Sequence, residues 1–162
     1  MLSLTLHPIM VLSVVTCGLV AGIFYAFSTF VMPALGGLDA EKGISSMQAI
    51  NITVITPLFF VAFFGAALCS VYLGFYAYVQ WGSTRAIYLM VGSGLYLVGS
   101  LLVTMVFNVP LNNTLAVVTA NPMTDADVMI WSEYLLDWTF WNHVRTMASL
   151  GAMVAFIFAL KA

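Results

Sequence analysis

Asn51, Thr56, Asn108, Asn112, Asn113, Trp138, Trp141, Asn142, His143 and Arg145 are polar or amphipathic side chains in a chain otherwise dominated by apolar ones. Among them His143 has an unperturbed pKa near neutrality, which makes it the candidate general base. Arg145 follows two residues later within an apolar run. A guanidinium in that position either snorkels to the interface or needs a buried partner or ligand. Asn108, Asn112 and Asn113 can hydrogen-bond a ligand, or can cap a helix end and satisfy backbone broken at Pro110. Trp138, Trp141 and Arg145 recur at i, i+3 and i+7 on one helix face, and Asn142, Arg145, Thr146 and Ser149 form an overlapping polar stripe. The tryptophans can equally mark a membrane interface, where aromatic rings gather.

Other chemistries find no foothold. By the topology given below, His7 and His143 lie on opposite faces of the bilayer, ~30 Å apart. Without a Glu-x-x-His pair either, no metal or other cofactor is expected. Cys17 and Cys69 reach a similar depth, but a buried cysteine behaves as a small hydrophobe and needs no redox role. No phosphate loop, nucleophile elbow or EF-hand pattern is present. A net charge of -2 without a Lys/Arg cluster excludes nucleic acid and an anionic membrane surface as partners.

The elements that position these residues follow from hydropathy. Of 162 residues, 63% are apolar and 6% are charged, with a mean hydropathy of +1.08. Soluble domains carry roughly a quarter charged residues, so this chain cannot coat itself for water. Four stretches reach the ~20 apolar residues that a membrane helix needs: 9–32, 53–79, 87–109 and 138–160. The expected fold is an all-α integral membrane four-helix bundle, one domain over residues 1–162. The first stretch lacks a basic leader and exceeds the ~7–15 apolar residues of a signal peptide, which predicts a retained helix. An even number of spans puts both termini and the turn at 80–84 on one side, with Arg85 and Lys161. The other side holds Asp39, Glu41, Asp125, Asp127, Glu133 and Asp137 against Lys42 and Arg145. The positive-inside rule then makes the termini cytoplasmic.

Pro8 suits the first turn of helix one, which should end at Pro33 and the Gly36-Gly37 pair, and Gly18 and Gly22 allow a neighbouring backbone to approach. Asp39 is a candidate N-cap for helix two, followed by Ile44, Met47, Ile50, Val54, Ile55 and Leu58 at helical spacing. Continuous to Val79, helix two would hold about 40 residues, or ~60 Å, twice the hydrocarbon thickness, with a kink at Pro57. Gly92, Ser93, Gly94, Gly99 and Ser100 predict a closely packed face on helix three. Beyond Asn108 and Pro110 a connection reaches Asn121-Pro122. Thr124 and Asp127 have capping-box spacing and should start helix four. Helices two and four therefore carry extramembrane extensions on one face, where with residues 110–124 they form a cap or vestibule.

In chain order, GIFYAF (22–27), VMPAL (31–35), MQAIN (47–51), VPLNN (109–113) and WTFWNHVRTMAS (138–149) together resemble the anthrone oxygenase family. The family consists of small four-span proteins; fungal members oxidise polyketide anthrones to anthraquinones, and many bacterial members have no known function. The resemblance implies a bacterial inner-membrane protein and a cofactor-independent oxygenase acting on a lipophilic anthrone- or quinol-like aromatic. Such chemistry needs a base, donors for an oxyanion, flat walls and exclusion of water. In that reading His143 is the base, and Arg145 and Asn142 with Asn112 or Asn113 hold the oxyanion. Trp138 and Trp141 wall the pocket, Asn51 and Tyr25 line its far side, and Asn108 contacts substrate. The competing reading is a non-enzymatic accessory subunit or lipophile-binding protein whose polar cluster only holds the cap together. An open cavity, as against a cluster filled by its own side chains, discriminates the two. Membrane lipid is an expected partner, and the glycine faces suit a homo-oligomer or a membrane-complex partner.

Overall fold

The computed structural model describes residues 2–119 and 122–162, so Asn121 of the expected connection lies outside the described residues. Helix α1 comprises Leu2–Ala26, a π-helical turn at Phe27–Val31 and a last turn at Met32–Gly36. α2 is Ala40–Thr53, α3 is Pro57–Val79, α4 is Thr84–Ala116 and α5 is Asp125–Lys161. Four of them, α1, α3, α4 and α5, are long and apolar enough to cross a membrane. The chain is an all-helical integral membrane four-helix bundle.

The four spans form a ring in which α1 packs on α3 and α5, and α4 packs on α3 and α5. Arg85 Nε donates to the Ala159 carbonyl at 3.2 Å, and the hydroxyls of Thr5 and Tyr72 meet at 3.0 Å. These bonds draw the start of α1, the α3–α4 turn and the end of α5 to one end of the bundle. Close packing depends on small residues. A Cβ on Gly99 would stand 2.5 Å from the Ala148 Cβ, and one on Gly18 would meet Met153 Sδ at 3.1 Å, whereas Gly22 has open space around it. Of the expected glycine pair on α1, only Gly18 therefore receives a neighbour closely.

Helix two is broken rather than kinked. Thr56 adopts extended backbone (φ -111°, ψ 153°) and its hydroxyl accepts a hydrogen bond from Phe59 N at 3.2 Å, while Pro57 occupies the first turn of α3, where its missing N–H costs nothing. The break frees α2 to fold over the bundle end. There it joins Met32, Leu35, Leu115, Trp131, Tyr134 and Trp138 in a second apolar core, distinct from the one along the spans. Asp39 stands at the N-cap of α2, but its carboxylate bonds Lys42 Nζ at 2.8 Å instead of the helix amides. That hydrogen bond holds the Asp39 carboxyl below its ordinary range and raises Lys42.

α4 runs through Pro110 to Ala116, past the expected boundary at 109. Two π-helical stretches, Leu95–Leu102 and Thr104–Asn108, precede the proline, and the wider turn lets the helix pass a residue that lacks an N–H and crowds the preceding carbonyls. α5 starts as expected at a capping box: Asp127 N donates to Thr124 Oγ1 at 3.3 Å and Thr124 N to Asp127 Oδ2 at 2.9 Å. Its 37 residues span ~55 Å and overrun the bilayer.

Gly99→Leu should destabilise the detergent-solubilised protein by about 1–3 kcal/mol, the usual cost of overpacking, whereas Gly22→Ala should leave the thermal midpoint unchanged. Equal midpoints for the two variants would contradict the close packing of α4 on α5.

Candidate functional site

The α2 end of the bundle holds a cavity of about 360 Å³. α1 contributes Ile23, Phe24 and Phe27; α2 contributes Met47, Ile50 and Asn51; α3 contributes Phe59, Phe60, Phe63 and Phe64. α4 adds Leu101, Thr104, Met105, Val109 and Asn112, and α5 adds Trp138 and Arg145. The walls are aliphatic and aromatic, with few polar groups among them.

Arg145 dominates its electrostatics. The side chain is 4% exposed, and its guanidinium stays charged in proteins. Nη2 donates to Asn142 Oδ1 at 2.6 Å and Nη1 to Thr104 Oγ1 at 3.3 Å. The guanidinium carbon lies 4.2 Å from the centroid of the Phe24 ring and 5.0 Å from that of Trp138. Among the described residues no carboxylate pairs with it; the ion pair found there is Lys42–Asp39 on the surface. Its Nε has no hydrogen-bond partner in the protein, and neither does the buried Trp138 Nε1. A buried cation and two orphaned N–H groups thus belong to residues that line one apolar cavity. Orphans of this kind call for an explanation, and a bound acceptor is one.

Asn142 holds this arrangement in place. It is fully buried, its Nδ2 donates to the Phe24 carbonyl and to Ser28 Oγ, both at 2.7 Å, and its Oδ1 is spent on Arg145. It positions Arg145 against α1 and does not line the cavity. A second polar group stands on the cap side. Tyr134, buried, donates its hydroxyl to Asn112 Oδ1 at 2.8 Å, and Asn51 also approaches that hydroxyl. Because Asn112 Oδ1 accepts from Tyr134, its Nδ2 remains available to a ligand.

The sequence-derived site residues divide four ways. Arg145, Trp138, Asn51 and Asn112 line the cavity. Asn142 and Asn108 bond neighbouring helices rather than the cavity: Asn108 Nδ2 donates to the Trp138 carbonyl at 3.2 Å, while its buried Oδ1 has no partner in the protein. His143, Tyr25 and Asn113 are exposed and take no part in the lining, so His143 is not placed to act as the base. It precedes Arg145 by two residues, and at about 100° per residue the two point to opposite sides of α5. Trp141 stacks on Phe107 with ring centroids 3.6 Å apart, beside a separate surface pocket with Asp137. Sequence reasoning missed Thr104, Tyr134 and the α3 aromatics; the repeated pairs Phe59-Phe60 and Phe63-Phe64, four residues apart, were their signal. Among the described residues no three His, Cys, Asp or Glu side chains come together as metal ligands would.

Asn142→Ala strands the Arg145 Nη2 group in a buried site and should lower stability by about 1–3 kcal/mol. His143→Ala, a surface change, should stay within about 0.5 kcal/mol of the parent. Chemical or thermal unfolding in detergent reads both, and the reverse ranking would contradict the network.

No curated protein and no solved structure matches the chain. The sequence pattern of the family described as Anthrone oxygenase matches residues 57–155, more than half the chain. The matched stretch takes in α3, α4 and most of α5, and with them the aromatic wall, Thr104, Asn112, Trp138 and Arg145. The chain belongs to the anthrone oxygenase family.

Proposed function

We propose that the cavity binds a flat, lipophilic carbon acid or phenol of the anthrone or quinol kind, holds its oxyanion on Arg145, and lets the bound anion react with O2. The observation that carries this reading is Arg145 itself, a buried cation on the wall of an apolar cavity with no carboxylate beside it. An isolated buried charge is costly unless compensated, and an anionic ligand supplies the compensation. Trp138 Nε1 and Asn112 Nδ2 are further donors for its oxygens, and the phenylalanines of α3 give the flat body apolar walls.

For an anthrone the reaction balances without a further reductant. Loss of a proton from the ring methylene gives a delocalised anion, which passes one electron to O2; the resulting radical and superoxide combine to a peroxide. Protonation and loss of water leave the ketone, so that CH2 and O2 become C=O and H2O. Arg145 lowers the cost of the first step by stabilising the oxyanion. The lining contains neither carboxylate nor histidine, so the ligand's own acidity, increased by Arg145, replaces a strong base. Asn51, Asn112 and Tyr134 offer the proton a polar route toward the cap. The same lack of a base also favours a second reading, a binder of lipophilic anions without turnover. We place the termini in the cytoplasm, on the few charges at that end.

Arg145→Gln should reduce anthrone turnover by about 10²–10³, the scale for removing an oxyanion donor. His143→Ala should leave it within about twofold, since the side chain faces away. Oxygen uptake and anthraquinone absorbance measure both. Anthrone that binds wild-type protein without turnover would favour the binder, and loss of turnover in His143→Ala alone would overturn the role given to Arg145.

A further inference from the structure

The cavity lacks a wall on one side, and that side faces lipid. From the turn that joins them α3 packs on Thr84–Gly94 and Leu95–Leu102 of α4 as far as Phe63, whose carbonyl accepts from the Tyr96 hydroxyl at 2.8 Å, and toward the cap the two diverge. Beyond that point Thr104–Asn108 packs on α5, and Val109–Ala116 on α2 and α5. The residues that border the gap belong to the cavity lining and are nevertheless exposed: Phe60 is 40% exposed, Phe64 47%, Met105 61% and Val109 42%. The opposite wall is closed, with Trp138 and Arg145 at 5% and 4%.

Depth and chemistry decide what passes such an opening. Phe64 lies seven residues into α3, ~10 Å along the helix, and Met105 stands on the facing span. The gap therefore opens among acyl chains rather than into water. Its rim carries no charge and no hydrogen-bonding side chain, so nothing there favours a hydrated solute. A membrane-dissolved molecule would cross no polar barrier before its polar end reached Arg145.

We propose that the cavity is loaded sideways from the bilayer through the gap between α3 and α4, and that Phe60, Phe64 and Met105 select what enters. The ligand is accordingly a membrane-partitioned flat aromatic, neutral in the lipid phase and ionised at Arg145, taken from the lipid phase, its product returned to it. This rests on the reading of the cavity as a ligand site.

The test compares anthrone, delivered in lipid vesicles, with a ring-sulfonated anthrone added from water. Protein in nanodiscs is mixed with each probe under anaerobic conditions, and quenching of tryptophan fluorescence gives the association and dissociation rates. The double variant Met105→Phe, Val109→Phe narrows the gap with residues that already face lipid. It should slow association and dissociation of anthrone together, each by about tenfold, because a portal lies on the path in both directions. Phe64→Ala should speed both. The sulfonated probe should associate at least about tenfold more slowly than anthrone with wild-type protein. Rates indifferent to both rim changes, or equally fast entry of the sulfonated probe, would overturn the portal and leave the binding site standing. Absence of binding by either probe to folded protein would overturn the site, and the portal with it. Arg145→Gln separates the two: it should weaken binding through faster dissociation and leave association unchanged.

Discussion

A guanidinium buried among membrane helices without a carboxylate has to be held by neutral groups, and in this protein those groups come from three of the four spans. Asn142 on α5 accepts from Arg145 and donates to the Phe24 carbonyl and Ser28 on α1. Thr104 on α4 accepts a second guanidinium bond, and the Phe24 and Trp138 rings flank the charge. Each contact is a modest dipole or quadrupole; none neutralises the charge. Two π-helical turns, Phe27–Val31 and Thr104–Asn108, lie against this network, in keeping with the tendency of such turns to occur at functional sites. The chain thus maintains a centre of positive potential inside a nearly apolar chamber, and the rest of the bundle is arranged around it.

The chamber exists because the cap and the spans obey different constraints. Along the spans, small residues bring helices close: Gly99 lies against Ala148, and Gly92 against Phe156. At the cap, bulky groups hold helices apart, with Trp131, Tyr134 and Trp138 stacked along α5. Gly43 lets α2 settle on this stack, since a Cβ there would come within 2.7 Å of Trp131. α2 closes the chamber on the aqueous side, and the divergence of α3 from α4 leaves it open on the lipid side.

How much of this was legible depended on whether the signal was local. Hydropathy sufficed for the four spans, because a helix in lipid must be apolar for its whole length. The capping box at Thr124 and Asp127 was legible because both partners lie within one turn. Pro57 showed that helix two is interrupted, but the full break comes from Thr56, whose hydroxyl caps α3, and nothing in the spacing distinguishes a cap from a kink. The passage of α4 through Pro110 depends on π-helical turns upstream, which leave no mark in composition. At the site, Arg145, Trp138, Asn51 and Asn112 were recognisable as polar groups in apolar surroundings. His143 looked equally suitable by residue type, although its position two residues from Arg145 sends it to the other side of α5. Asn142 and Asn108 were expected to meet substrate, but their bonds go to backbone carbonyls of other helices, a pairing no local pattern reveals.

If Arg145 holds an anion in the cavity, the ionisation state of a bound ligand reports it most directly. Anthrone titrated into nanodisc-embedded protein without oxygen can be followed by its visible absorption, since its anion absorbs at longer wavelength than the neutral ketone. The bound molecule should ionise about one to three pH units below its value in empty nanodiscs, as expected for an acid beside a buried cation, and Arg145→Gln should abolish the shift. A ligand that binds wild-type protein with the same ionisation behaviour as in lipid alone would contradict an anion held on Arg145.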